Sequence, residues 1–151
     1  MAYAAHRVVI ADDNKLVLDG LSAFLERDGM QVIGCALDGF EAVEVTRELD
    51  PDLLLLDINM PRWNGLQVLQ ALKEGGARTR IILLTAHDDP QLVNQAIELG
   101  ADGFVSKDDG PVGLRGAIKT AMGGQFLFIG TTAFKAAFQK RHSSGSDQGA
   151  N

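Results

Sequence analysis

The chain has 151 residues, of which 46% are hydrophobic and 23% are charged. It is therefore long and apolar enough to form one globular domain rather than a disordered segment. The formal net charge of -6 argues against nucleic-acid binding by this part alone, because neutralising phosphates requires a basic surface. The single cysteine, Cys35, excludes an internal disulfide, and its apolar neighbours predict a small core residue. We expect a cytoplasmic protein, since no signal peptide and no run near the ~18 apolar residues of a membrane span is present.

Short apolar runs alternate with helical patterns along most of the chain. The predicted strands are residues 7–11, 31–36, 53–57, 80–85 and 103–106. Helices are predicted from residue 15 to Gly29, from Asp38 to 49, from about 65 to 73, from Pro90 to Gly100, and from about 111 to 123. Regular β-α alternation predicts an α/β fold: a doubly wound, five-stranded parallel sheet with helices on both faces. The flavodoxin-like strand order 2-1-3-4-5 is expected.

The run from Leu53 to Leu56 has neither a helical nor an alternating period, which is typical of a strand buried on both faces. Asp57 follows at once, and Pro61 and Gly65 indicate a turn before the next helix. A carboxylate at this position is a candidate nucleophile or metal ligand, since ligands bind outside the carboxyl ends of such strands. The alternative is that Asp57 only caps the following helix.

Polar residues follow four of the predicted strands. Asp12 and Asp13 end the first, Asp57 the third, Thr85 the fourth and Lys107 the fifth. A parallel sheet would bring all of them to one edge, where neighbouring carboxylates require a compensating cation. Oxygen ligands favour Mg²⁺. With a hydroxyl and a lysine nearby, the set could hold a phosphoryl group during its transfer to a carboxylate.

These residues lie in motifs that resemble the receiver domain of two-component response regulators, over roughly residues 7 to 124. The motifs are Asp12-Asp13, Asp57-x-x-Met60-Pro61-x-x-x-Gly65, Leu83-Leu84-Thr85-Ala86 and Gly100-Ala101-x-Gly103-Phe104-x-x-Lys107. The resemblance implies that Asp57 is the phosphoacceptor. It also implies that Mg²⁺ is held by Asp12, Asp13, Asp57 and the backbone carbonyl of Asn59.

The resemblance further implies that a sensor histidine kinase donates the phosphoryl group. Lys107 would contact the phosphate, and Thr85 would bind one of its oxygens. Phe104 occupies the position of the family's switch aromatic and would rotate inward, changing the surface formed by the fourth helix, fifth strand and fifth helix. Asp108 stands where many members have proline, so the peptide configuration there is left open. His87 occupies a position that tunes dephosphorylation in the family, although a lone exposed histidine is more often incidental.

The predicted organisation is an amino-terminal extension (1–6), the receiver domain (7–124), an extension with one further short helix (125–142), and a disordered linker or tail (143–151). The motif style resembles NarL/LuxR-type regulators, in which a helix-turn-helix output domain follows such a linker and controls transcription. A fragment of a transcription factor is favoured over a stand-alone receiver. DNA would then be bound only through an output domain absent from this sequence, no membrane partner is expected, and homodimerisation is a hypothesis.

Three other functions are alternatives for a chain with these residues. A phosphatase of the haloacid dehalogenase type would need a second aspartate where this chain has Asn59. A flavodoxin-like or nucleotide-binding module would need a glycine-rich loop after the first strand, where this chain has Asp12-Asp13. A degenerate receiver that is never phosphorylated would not need Asp57, Thr85 and Lys107. The expected protein is a phosphoacceptor switch that catalyses only its own phosphorylation and dephosphorylation.

Overall fold

The computed structural model describes residues 6–86, residues 89–123 and the backbone of residues 127–129. The strands are β1 (Arg7–Ala11), β2 (Gln31–Ala36), β3 (Leu53–Asp57), β4 (Arg80–Thr85), β5 (Gly103–Ser106) and β6 (Leu127–Ile129). The helices are α1 (Lys15–Arg27), α2 (Gly39–Leu49), α3 (Gly65–Glu74), α4 (Pro90–Glu98) and α5 (Gly110–Met122), with a short 3₁₀ turn at Lys107–Asp109. The predicted alternation of strands and helices is confirmed.

All strand pairs are parallel, and the sheet has the order β2-β1-β3-β4-β5-β6. The predicted order 2-1-3-4-5 is therefore confirmed for the first five strands. The sixth strand was not predicted, because three residues are too few to show a period and the following segment had suggested only a helix. The helix expected in the 125–142 extension and the tail 143–151 lie outside the described residues, so those predictions stand as they were.

Alternate leucines of β3 point into two separate cores. Leu54 and Leu56 pack among α2, α3 and α4, whereas Leu53 and Leu55 pack among α1 and α5. All four side chains are fully buried. This explains why the run shows no alternation in the sequence: a central strand of a parallel sheet is covered by helices on both faces. Each buried leucine of this kind contributes about 1.5–3 kcal/mol relative to exposure.

Polar caps fix where the helices at the carboxyl edge of the sheet begin. Asp38 accepts the Glu41 N–H at the start of α2, and Asp89 accepts the Gln91 N–H before Pro90 at the start of α4. Asp89 had been predicted as a cap from the sequence, and Asp38 had been predicted to form a capping box with Glu41, of which the structure shows the bond from the Glu41 N–H to Asp38. Asn64 and Gln67 form a reciprocal capping box at the start of α3, which the sequence reading had missed.

The expectation that Cys35 belongs to the core is wrong, because its side chain is exposed. It lies on β2, which pairs with β1 and is an edge strand of the sheet in the described part of the chain. There the helices do not cover the strand completely, so an apolar neighbourhood in the sequence does not guarantee burial. Within residues 6–86 and 89–123, none of the helices combines the length and apolarity needed to cross a membrane.

Candidate functional site

The carboxyl ends of the strands meet at one edge of the sheet and bring the predicted site residues together. Asp12 follows β1, Asp57 ends β3, Thr85 ends β4 and Lys107 follows β5. The strands run in the same direction and β1 and β3 are hydrogen-bonded neighbours, so residues 45 positions apart in the chain become adjacent. The site is a consequence of the strand order, as expected for an open α/β sheet.

Three carboxylates form the centre of the site. Oxygen atoms of Asp12, Asp13 and Asp57 all lie within 4.8 Å of one another. Asp12 is fully buried and Asp57 is 4% exposed, whereas Asp13 is open to solvent. Buried like charges at this separation repel each other strongly unless a cation compensates them.

Lys107 is the cation that reaches into this cluster. Its Nζ lies 2.9 Å from Asp12 Oδ2 and 3.3 Å from Asp57 Oδ2. Burial raises the pKa of Asp57 above its usual value; the charge of Lys107 opposes this rise and that of Asp12 adds to it. Burial lowers the pKa of Lys107, but the hydrogen bond to Asp12 and the charges of both carboxylates outweigh burial and raise it. Lys107 therefore stays charged near neutral pH.

Backbone N–H groups hold the two buried carboxylates in place. The Asn59 N–H donates to Asp57 Oδ1 at 3.2 Å, and the Asn14 N–H donates to Asp12 Oδ1 at 2.8 Å. Asn14 also caps α1 through its side chain. The sequence reading gave Asn14 no role, although its position immediately after an acidic pair could have suggested one.

Three carboxylates and one lysine leave two negative charges uncompensated when all four groups are ionised. Carboxylate and carbonyl oxygens are the ligands that Mg²⁺ prefers, and Mg²⁺ commonly keeps several of its waters. The exposed Asp13 gives the cluster access to water. The donor set, its charge and its accessibility therefore fit one Mg²⁺ ion.

The two predicted switch residues, Thr85 and Phe104, are both buried. Thr85 is fully buried and lies in register with Ser106 of β5. Phe104 is also fully buried and belongs to the core between the sheet and α2, α3 and α4. The rotation of Phe104 on phosphorylation stays a prediction. The Lys107–Asp108 peptide bond is trans, and His87 lies outside the described residues.

The sequence model of the response regulator receiver domain matches residues 8–119. The chain belongs to this family. Receiver domains are signalling switches rather than classical enzymes, and they bind Mg²⁺ in an acidic pocket of the kind formed here. The haloacid dehalogenase and nucleotide-binding alternatives are thereby set aside.

The relatives of this receiver domain are NarL/LuxR-type regulators. The nitrate/nitrite response regulator protein NarP of Escherichia coli is 39% identical over 123 residues, covering 81% of this chain and 57% of NarP. The solved receiver domain of the response regulator NarL from Mycobacterium tuberculosis is 36% identical, with a TM-score of 0.77 and coverage of 81% of this chain and 99% of that one. A LuxR-family response regulator from Aurantimonas sp. SI85-9A1 has a TM-score of 0.83 at 25% identity, with coverage of 93% and 99%.

This chain is thus the receiver domain of a two-component response regulator, which implies phosphorylation-dependent signalling. It spans about half to two thirds of the length of the curated relatives that it matches.

Arg62 makes a group of contacts that were not predicted from the sequence, although one of its partners, Asp38, had been predicted as a helix cap. Arg62 forms an ion pair with Asp38 and lies over the ring of Phe40, and Phe40 contacts the ring of Trp63 edge-on. Asp38 is the N-cap of α2 and Phe40 lies in its first turn, whereas Arg62 and Trp63 lie in the β3–α3 loop, far away in the sequence. Trp63 had been expected as a half-exposed loop residue near the site, and it is 37% exposed.

Proposed function

We propose that Asp57 accepts a phosphoryl group from a sensor histidine kinase. The observation that carries this proposal is the contact of one lysine amine, that of Lys107, with the buried carboxylates of both Asp12 and Asp57. A buried carboxylate supplied with its own cation and with two acidic neighbours is suited to receive a group that is itself strongly negative.

The transfer proceeds by attack of a carboxylate oxygen of Asp57 on the phosphorus of a phosphohistidine. The new O–P bond forms as the N–P bond breaks, and the histidine nitrogen keeps the bonding electron pair. When bound, Mg²⁺ would neutralise charge on the phosphoryl oxygens, and Asp12, Asp13, Asp57 and the Asn59 carbonyl would hold it. Lys107 is close enough to Asp57 to contact the transferred group directly. The Asn59 N–H orients the accepting carboxylate.

The modified Asp57 would carry about two negative charges at its phosphate. We propose that the Thr85 hydroxyl moves to donate a hydrogen bond to it, since Thr85 ends the neighbouring strand β4. Phe104 lies on β5 next to β4, so displacement of Thr85 would change the space available to its ring. The surface formed by α4, β5 and α5 would then change its conformation. A local change of charge at Asp57 would thus shift this surface between two states.

The output proposed for the whole protein is control of transcription, through a DNA-binding domain outside this sequence. The support is that NarP and NarL are regulators of greater length than this chain. Homodimerisation of the receiver would bring two such output domains together. Loss of the phosphoryl group by hydrolysis, catalysed within the same pocket, would reset the switch.

The proposal is tested by intact-mass measurement after incubation with acetyl phosphate, with and without Mg²⁺. Wild type should gain one phosphoryl group only with Mg²⁺, and Asp57→Asn should gain none. Asp19→Asn, which removes an exposed carboxylate of α1, is the matched control and should behave as wild type. A beryllofluoride titration, followed by fluorescence of the single tryptophan, Trp63, should saturate in wild type. Failure of wild type in both experiments, or phosphorylation of Asp57→Asn, would overturn the proposal.

A further inference from the structure

The loop between β3 and α3 carries Asn59 and is fixed at two points. At the first point, the Ile58 N–H donates to the Leu84 carbonyl at 3.0 Å, and the Gly65 N–H donates to the Ile58 carbonyl at 2.8 Å. At the second point, the Pro61 carbonyl accepts the Gly39 N–H at 3.3 Å and the Trp63 N–H at 2.9 Å. Asn59 lies between these points, so both restrict its carbonyl.

The second point is a strained turn. The Trp63 N–H bonds to the carbonyl two residues earlier, and the residue between them, Arg62, has φ of 70°. A hydrogen bond between residues two apart, with a positive φ at the central residue, is typical of the rare form of the γ-turn. A positive φ in a residue with a long side chain is unfavourable and persists only where surrounding contacts stabilise it.

The contacts that stabilise this turn come from the amino-terminal end of α2. Asp38 Oδ2 accepts from Arg62 at 3.2 Å, and the guanidinium carbon lies 4.5 Å from the centre of the Phe40 ring. Between these residues, Gly39 lies so close to Trp63 that an added Cβ would overlap the Trp63 backbone carbonyl. We call Asp38, Gly39, Phe40 and Arg62 the clamp.

We propose that the clamp is a positioning device for the phosphoryl-accepting site: Asp38 and Phe40 hold Arg62, and thereby hold the Asn59 carbonyl towards the carboxylates that bind Mg²⁺. This proposal rests on the proposed function, because the clamp matters only if that carbonyl is a ligand. Residues that orient metal ligands without touching the metal commonly change its affinity by one to two orders of magnitude. The Arg62 side chain is 58% exposed, so its effect should lie at or below the low end of that range.

The chain offers a matched control for Arg62. Arg115 also pairs with an aspartate and lies over a phenylalanine: its Nε is 2.8 Å from Asp28 Oδ2, and its guanidinium carbon is 5.2 Å from the Phe24 ring centre. The same three residue types thus form a second cluster, between α5 and α1. That cluster is not connected to Asn59 by the contacts described above.

The test measures Mg²⁺ binding by titration calorimetry for wild type, Arg62→Gln and Arg115→Gln at a temperature where all three are folded. We expect Arg62→Gln to bind Mg²⁺ about three- to tenfold more weakly, with Arg115→Gln within about twofold of wild type. Arg62→Gly, which relieves the backbone strain but removes the same side-chain contacts, should also weaken binding. Phosphorylation by acetyl phosphate should need more Mg²⁺ in Arg62→Gln but reach the wild-type rate at saturation.

Unchanged Mg²⁺ affinity in Arg62→Gln would overturn the proposed positioning role of the clamp and would leave the proposed function intact. An equal loss in Arg115→Gln would also overturn it, since the effect would then be one of general stability. If wild type itself bound no Mg²⁺, the metal site of the proposed function would fail, and the clamp with it.

Discussion

The two ends of the sheet use carboxylates in opposite ways. At the amino end, Asp102 accepts the Ile81 N–H at 2.8 Å and has two cations nearby, Lys73 at 3.3 Å and Arg80 at 3.8 Å. At the carboxyl end, Asp12, Asp13 and Asp57 form a cluster in which Lys107 pairs with Asp12 and Asp57. A carboxylate with an excess of partners stabilises the fold. A cluster with an excess of negative charge is unfavourable for the fold and is therefore a candidate for function.

Glycines at the two ends of the sheet also differ, in their φ values and in the space around their Cα atoms. The loops at the amino end contain Gly29, Gly76 and Gly100, each with a positive φ and with no contact closer than 3.7 Å to an added Cβ. At the carboxyl end, Gly39 and Gly65 have ordinary φ values, but an added Cβ would meet backbone atoms. Gly39 and Gly65 therefore serve close backbone packing around the site, whereas Gly110, at the start of α5, has φ of 67° and open space, like the glycines at the amino end.

The largest expected effect tests this contrast in glycines. Gly65→Ala should destabilise the protein by about 3 kcal/mol, because its Cβ would lie 2.7 Å from the Asp57 carbonyl oxygen and 2.8 Å from the Ile58 Cα. Gly76→Ala should cost only about 1–2 kcal/mol, the price of a left-handed backbone with free space around it. Urea denaturation of both variants provides the measurement. Equal losses would remove the distinction between the two kinds of glycine.

The next effect concerns the carboxylate at the amino end. Asp102→Ala should lower the free energy of unfolding by about 1–3 kcal/mol, since the Ile81 N–H loses its acceptor and Lys73 loses its partner. Phosphorylation by acetyl phosphate should be unchanged in extent, because Asp102 lies at the opposite end of the sheet from Asp57. A loss of phosphorylation in a folded Asp102→Ala protein would show that the two ends are not independent.

The smallest expected effect is a gain in stability, whereas the preceding variants lose stability. Burial raises the pKa of Asp57 above 3.8, so the folded protein binds this proton more tightly than the unfolded chain does. Stability therefore falls as pH rises from about 3.8 through the raised pKa, and the ionised carboxylate remains unfavourable at higher pH. Without divalent cations, Asp57→Asn should be more stable than wild type at pH 7, and the gain should vanish towards pH 3.8. Denaturation midpoints across this pH range, measured in EDTA, would contradict this if the variant were less stable at pH 7.

The predictions from the sequence were confirmed where a local pattern of residues decides the structure. The leucine run of β3, the caps at Asp38 and Asp89, and the bounds of the first five strands followed from composition and spacing alone. Cys35 and β6 did not. Burial of Cys35 depends on how far neighbouring helices extend over an edge strand, and formation of β6 depends on pairing with β5. Neither is a local property of the sequence.

The sequence by itself determined which residues stand at strand ends, because an apolar run followed by a polar residue is a local pattern. Only the tertiary structure decided that Lys107 contacts both Asp12 and Asp57, that Phe104 is already buried, and that Asp38 and Phe40 hold Arg62. The physical reason is that these contacts join loops from different β-α units. Their distances are set by the order and twist of the strands, which side-chain spacing along the chain does not encode.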